Sequence, residues 1–136
     1  MKKIVLALFV LAFSAASFAQ PLASATTAGA PRVENAVFNW TQTTFDFGKV
    51  KVNNPATHEF TFTNSGNIPL VISSVKASCG CTVADYSKDP IAPGAKGFVK
   101  ATYNAASVGQ FTKTVTVNAN TAEGAVVLTI KGEVIQ

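Results

Sequence analysis

Thr57-His58-Glu59-Phe60-Thr61-Phe62-Thr63, followed by Asn64-Ser65-Gly66-Asn67, decides the fold. His58, Phe60 and Phe62 fall on one side of the run, and Glu59, Thr61 and Thr63 on the other. Successive side chains leave an extended strand on opposite sides, so this period of two predicts a strand with one buried face. The Asn, Ser and Gly residues after it are turn formers, each able to satisfy or relax the backbone where the chain reverses.

Working outward, the same pattern repeats in both directions. Ala36 to Trp40 and Thr44 to Val52 precede the run, and Asn53-Asn54-Pro55 separates them from it. Leu70 to Ala77, Gly97 to Tyr103, Gly109 to Ala119 and Ala125 to Val134 follow. Breaks fall at Pro90-Ile91-Ala92-Pro93-Gly94 and at Glu123-Gly124. In Gly109 to Ala119, Thr112, Thr114 and Thr116 share one face while Phe111, Val115 and Val117 share the other. In the last run Val126, Leu128, Ile130 and Val134 fall together. No window of helical length carries an i, i+3, i+4, i+7 apolar stripe. About seven short alternating strands in roughly 100 residues predict an all-β, immunoglobulin-like antiparallel sandwich over residues 36–136. A closed barrel is the alternative. Uneven spacings, and a segment from Cys79 to Pro90 that reads as a long loop, favour the sandwich.

The N-terminus reads differently. Lys2 and Lys3 precede an apolar run from Ile4 to Phe13, and Ser14-Ala15-Ala16-Ser17-Phe18-Ala19 offers small residues for cleavage after Ala19. This is the layout of a secretory signal peptide over residues 1–19, and the apolar run is shorter than the ~20 residues that span a bilayer. Residues 20–35 are rich in Ala, Thr, Ser, Pro and Gly and show no period, which predicts a flexible tether. No Cys follows the cut, so the pattern lacks a lipid attachment point. The expected location is therefore outside the cytoplasm, in a periplasm or beyond the cell, with no membrane span in the mature chain.

Charge and composition narrow the chemistry. Of 136 residues, 11 are Lys or Arg and seven are Asp or Glu, for a net +4. Without Lys2 and Lys3 the balance is nine against seven, +2. That is too weak and too scattered for a nucleic-acid or anionic-membrane surface. One His and one Met, the latter at position 1, leave most catalytic and metal chemistries short of side chains. No hydrolase, zinc-protease, Cys-X-X-Cys or phosphate-cradling pattern occurs. The chain is not expected to be an enzyme, and no cofactor is expected.

Cys79 and Cys81 are the only thiols and flank Gly80. Residues i and i+2 of an extended strand lie ~6.6 Å apart on the same side, near the upper limit for a disulfide, so a bridge requires a bend. Gly80 permits one because it lacks a Cβ and reaches φ > 0. Three uses remain open: a structural or disulfide-shaped loop, a redox or attachment site, and a soft-metal site of two thiolates to which only His58 adds a nitrogen. A bridge across one residue adds little stability, since loop entropy grows with loop length. His58 at the start of its strand reads as a rim residue with a backbone hydrogen bond. Asp85 and Asp89, around Tyr86 and Lys88, read as loop solvation. Phe38, Trp40, Phe45 and Phe47 read as core, and Asp46 as a turn or strand-edge device.

These residues carry a resemblance. Thr44-Phe45-Asp46-Phe47-Gly48-Lys49-Val50, Phe60-Thr61-Phe62-Thr63-Asn64-Ser65-Gly66 and Pro69-Leu70-Val71-Ile72 resemble the start of a bacterial family known as domain of unknown function 1573. Cys79-Gly80-Cys81-Thr82 matches its hallmark, and Ile91-Ala92-Pro93-Gly94 matches its turn; the likeness covers Phe38 to Val134. The first half also resembles immunoglobulin-like domains related to major sperm protein and pilus chaperones. The resemblance implies a secreted immunoglobulin-like sandwich and assigns no activity. The expected function is a secreted or envelope module that binds another protein or serves as a structural domain. The alternative is a thiol redox or soft-metal-handling factor using Cys79 and Cys81.

Overall fold

A computed structural model describes residues 34–136. The expected signal peptide, and the expected tether up to residue 33, lie outside the described residues. Eight strands follow one another: β1 (Phe38–Trp40), β2 (Thr44–Lys51), β3 (Ala56–Asn64), β4 (Ile72–Ala77), β5 (Thr82–Tyr86), β6 (Lys96–Tyr103), β7 (Gly109–Ala119) and β8 (Ala125–Ile135). They form two four-stranded sheets, ordered β1-β3-β6-β5 and β2-β8-β7-β4. The fold is the expected all-β sandwich, with one strand more than anticipated and one parallel pair, β2 with β8.

The additional strand is β5. It lies inside the Cys79–Pro90 segment read as a loop, pairing antiparallel with β6 from Thr82↔Tyr103 to Tyr86↔Val99. Its inward residues are Thr82, Ala84 and Tyr86, and its most apolar aliphatic, Val83, points outward and is 68% exposed. An edge strand with a small, half-polar inner face carries no apolar alternation to read.

Elsewhere, burial follows the period of two. Phe60 and Phe62 of β3, Val99 and Ala101 of β6, Phe111, Val115 and Val117 of β7, and Leu128, Ile130 and Val134 of β8 fill the space between the sheets. A buried side chain of this size contributes about 1.5–3 kcal/mol by leaving water, which is what holds two such sheets face to face. Phe38 meets Phe62 edge-on at 4.8 Å between centroids, and Trp40 stacks on Phe38 at 4.9 Å. Gly97 faces Phe62 across the β3–β6 ladder, and a Cβ there would run into the Phe62 ring.

Asp46 is the edge device the sequence indicated. The Gly48 N–H donates to Asp46 Oδ1 at 2.8 Å, Gly48 takes φ +65°, and the β2–β8 register shifts between Asp46 and Lys49. A bulge of this kind in an edge strand bends it away from further pairing.

Candidate functional site

The chain crosses between the sheets twice in quick succession. It leaves β3 for β4 after Asn64, then returns from β4 to β5 through Ser78-Cys79-Gly80-Cys81. Both ends of this second corner are tied to the strands beside it. The Ser78 N–H donates to the Thr114 carbonyl at 2.9 Å, and the Thr114 N–H donates to Ser78 Oγ at 3.1 Å. The Asn104 N–H donates to the Cys81 carbonyl at 3.0 Å, and the Thr82 N–H donates to the Cys79 carbonyl at 3.3 Å.

Cys79 and Cys81 are joined by a disulfide, with their Cα atoms 5.3 Å apart. The bend that shortens the extended spacing is therefore present. It is made without the left-handed backbone expected at Gly80, which is not among the glycines of positive φ. Gly80 is exposed, and nothing lies within 4 Å of where its Cβ would sit. Both cysteines are half-buried, and Cys81 packs against the core cluster. Thr82 Oγ1, on a residue only 5% exposed, lies 3.8 Å from Cys79 Sγ. A bridged sulfur has no proton, so the hydroxyl is the donor there.

With both sulfurs in the bridge, neither is a thiolate for a soft metal. Among the described residues no group of three or more His, Cys, Asp and Glu side chains converges. His58 is turned elsewhere. Its ring stacks on Phe45 of the opposite sheet at 3.7 Å and 7°, and meets Phe60 edge-on at 4.6 Å. Its hydrogen bond is to a side chain and not to backbone: Gln42 Nε2 donates to His58 Nε2 at 2.9 Å. An accepting Nε2 means a neutral ring. Burial holds the His58 pKa below its ordinary value, and the Glu59 carboxylate beside it opposes this in part.

Beyond the corner, β5 and the residues after it form a shallow surface. A depression of about 570 Å³ is lined by Tyr86, Lys88, Ile91, Lys96 and Phe98 among others. Lys88 Nζ sits 3.3 Å from the centre of the Tyr86 ring and 3.8 Å from Asp85 Oδ1. Asp85 also accepts the Tyr86 N–H at 2.9 Å, which covers one donor on the open edge of β5. Asp85 is thus an edge blocker, and the pair with Lys88 is an exposed one of small energy.

A structural residue escaped the sequence reading altogether. Asn64, read as the start of a turn, is fully buried at the end of β3. Its Oδ1 accepts from the Val37 and Gly66 N–H groups at 3.3 and 3.0 Å. Its Nδ2 donates to the carbonyls of Ile68 and Ile91 at 2.8 and 2.9 Å. The signal for it was parity, since Asn64 continues the inward set Phe60 and Phe62.

The Cys-Gly-Cys corner sits within a stretch, residues 38–134, that matches the family model described as Protein of unknown function (DUF1573). The chain belongs to the DUF1573 family. The DUF1573 domain is similar in fold to a protein of unknown function from Porphyromonas gingivalis W83 (TM-score 0.66, 16% identity, covering 79% of this chain and 51% of that one). It is similar to PapD-like domain 7 of human CEP192 (TM-score 0.64, 7% identity, 84% and 96% covered). It is also similar to part of the VesB protease of Vibrio cholerae (TM-score 0.58, 15% identity, 73% and 32% covered). At these identities the likeness is one of fold alone, and the chain spans about half the length of the Porphyromonas protein. No curated protein matches the chain.

Proposed function

We propose that the DUF1573 domain is an exported, non-enzymatic module that binds another envelope or secreted protein through the outer surface of β5 and Ser87–Pro90. The observation that carries this reading is an exposed aliphatic side chain on an edge strand, Val83, the most exposed large hydrophobic among the described residues. Val83 is 68% exposed on the outer face of β5, and half-buried Phe98, on the outer face of neighbouring β6, lines the depression that follows that strand. An exposed aliphatic group beside a half-buried aromatic ring is what a partner's apolar side chain covers on docking. The near-balanced charge of the mature chain favours a protein over a polyanion as partner. Export is supported by the leader pattern and by a disulfide, a bond that persists in oxidising compartments. No helix among the described residues is long and apolar enough to cross a membrane.

Two experiments test the reading. Fractionation and N-terminal sequencing of the native protein are expected to place it outside the cytoplasm, beginning at Gln20. Affinity capture from that fraction is expected to return a partner that is lost from Val83→Lys and from Phe98→Ala. If every captured protein persists with both folded variants, the β5 surface is not the docking site.

A further inference from the structure

The Cys79–Cys81 bridge is redundant as a staple. The corner it spans is already fixed at one end by Ser78 bonded to Thr114 of β7 and at the other by Cys81 bonded to Asn104, just past β6. The bridge encloses a single residue, and a loop of that size removes little entropy from the unfolded chain. It lies on the surface side of the fold, beside an exposed glycine with open space over its Cα. Its two sulfurs are not equivalent. Cys81 is packed against the core cluster, whereas Cys79 is not part of that packing and has a buried hydroxyl donor, Thr82 Oγ1, at 3.8 Å.

We propose that this bridge is a thiol–disulfide exchange site that takes two electrons from a protein dithiol, with Cys79 as the attacked sulfur. One substrate thiolate attacks Cys79 Sγ. The Cys79–Cys81 bond breaks, a mixed disulfide forms on Cys79, and the Cys81 thiolate leaves and takes up a proton. The second substrate thiolate then attacks the substrate sulfur of the mixed disulfide, and Cys79 leaves as a thiolate. The substrate ends as a disulfide and the two cysteines as a reduced pair, with two electrons transferred. The departing Cys79 thiolate is where Thr82 acts, because a hydrogen bond to the charged sulfur favours it as leaving group. This activity is separate from docking through β5 and does not depend on it.

The test uses the full chain in its oxidised form, with dithiothreitol and a reduced two-cysteine peptide as probes. Under native conditions the bridge is expected to open stoichiometrically, read by alkylation and intact mass, while circular dichroism and the thermal transition show a domain still folded. In the Cys81→Ser variant, loaded with a thiol-reactive disulfide, the mixed disulfide at Cys79 is expected to be released readily by a thiol. The same adduct on Cys81 in Cys79→Ser is expected to release at least about ten-fold more slowly. Thr82→Val is expected to slow release from Cys79 about ten-fold, the loss of one hydrogen bond to a charged group, while leaving Cys81 unaffected. The wild-type measurement stands even if a variant fails to fold. A bridge that opens only when the domain unfolds, or an adduct that exchanges equally at either sulfur, overturns the proposal.

Discussion

The chain leaves β3 for the opposite sheet at Asn64 and returns from β4 at Cys79-Gly80-Cys81, and the two corners are held by different chemistry. The first is locked by a buried amide that makes four hydrogen bonds to backbone groups on three segments. The second carries a covalent bond on its half-exposed side and takes its position from ordinary backbone pairing. Only the first is stability that the fold cannot do without. A buried lock opens only with the core, whereas a bond laid over an already fixed turn is able to break and re-form while the strands stay in register.

The largest effect expected from this contrast is at the first corner. Asn64→Leu fits an apolar group into the site but takes the partner from the part-buried Val37 and Gly66 N–H groups and Ile68 carbonyl, while the Ile91 carbonyl keeps only the Leu70 N–H. The expected loss is about 3–4 kcal/mol, read as a lower urea midpoint at unchanged slope. A midpoint within error of wild type would show that the amide is dispensable and the contrast false.

Next in size is Gly97→Ala, one residue pair behind that corner on the β3–β6 ladder. The new methyl collides with the Phe62 ring, and overpacking of this kind costs about 1–3 kcal/mol. Adding Phe62→Leu is expected to recover part of the loss, which a purely backbone effect at position 97 would not allow.

Smaller still is the second corner itself. The double change Cys79→Ser with Cys81→Ser is expected to lower stability by about 1.5 kcal/mol or less, the loop-entropy value for so short a span. A loss as large as that of Asn64→Leu would make the bridge a true staple and remove the distinction between the corners.

The legibility of these features differed for physical reasons. Alternation fixed β3, β7 and β8 closely because their inner faces are large and apolar while their outer faces are Thr-rich in β3 and β7 and mixed in β8, a contrast that survives in one dimension. β5 was invisible because its inward residues are Thr82, Ala84 and Tyr86, so burial and hydropathy point opposite ways along it. The parallel pairing of β2 with β8 joins residues from the two ends of the domain, and no local pattern encodes it. At the candidate site the cysteine pair and the need for a bend were readable from spacing. The anchors at Ser78, Thr114 and Asn104 were not, because they exist only once β6 and β7 are in place. Asn64 looked like a turn former because Asn is one elsewhere; its inward parity was the better guide.

The smallest expected effect lies away from both corners, at His58. Its folded-state pKa is lowered, chiefly by burial against Phe45 and Phe60, with Glu59 opposing. Above its unfolded pKa near 6.5 the ring is neutral in both states, and its full contribution to stability is present. As pH falls below 6.5 the unfolded chain takes up the proton first, so the folded state loses ground until the folded pKa is passed. Protonation also forbids Nε2 from accepting the Gln42 N–H, so keeping that contact requires the Gln42 amide to turn its Oε1 toward the ring. Thermal unfolding between pH 7.5 and 5.5 is therefore expected to show a modest decline in wild type and a flatter profile in His58→Phe, which keeps the stack on Phe45 and has no proton to gain. The reduced and oxidised forms are expected to share the wild-type slope, since the histidine and the bridge sit at different places in the sandwich. A slope that changed on reduction would tie the second corner to the inter-sheet core and end the claim that it opens independently.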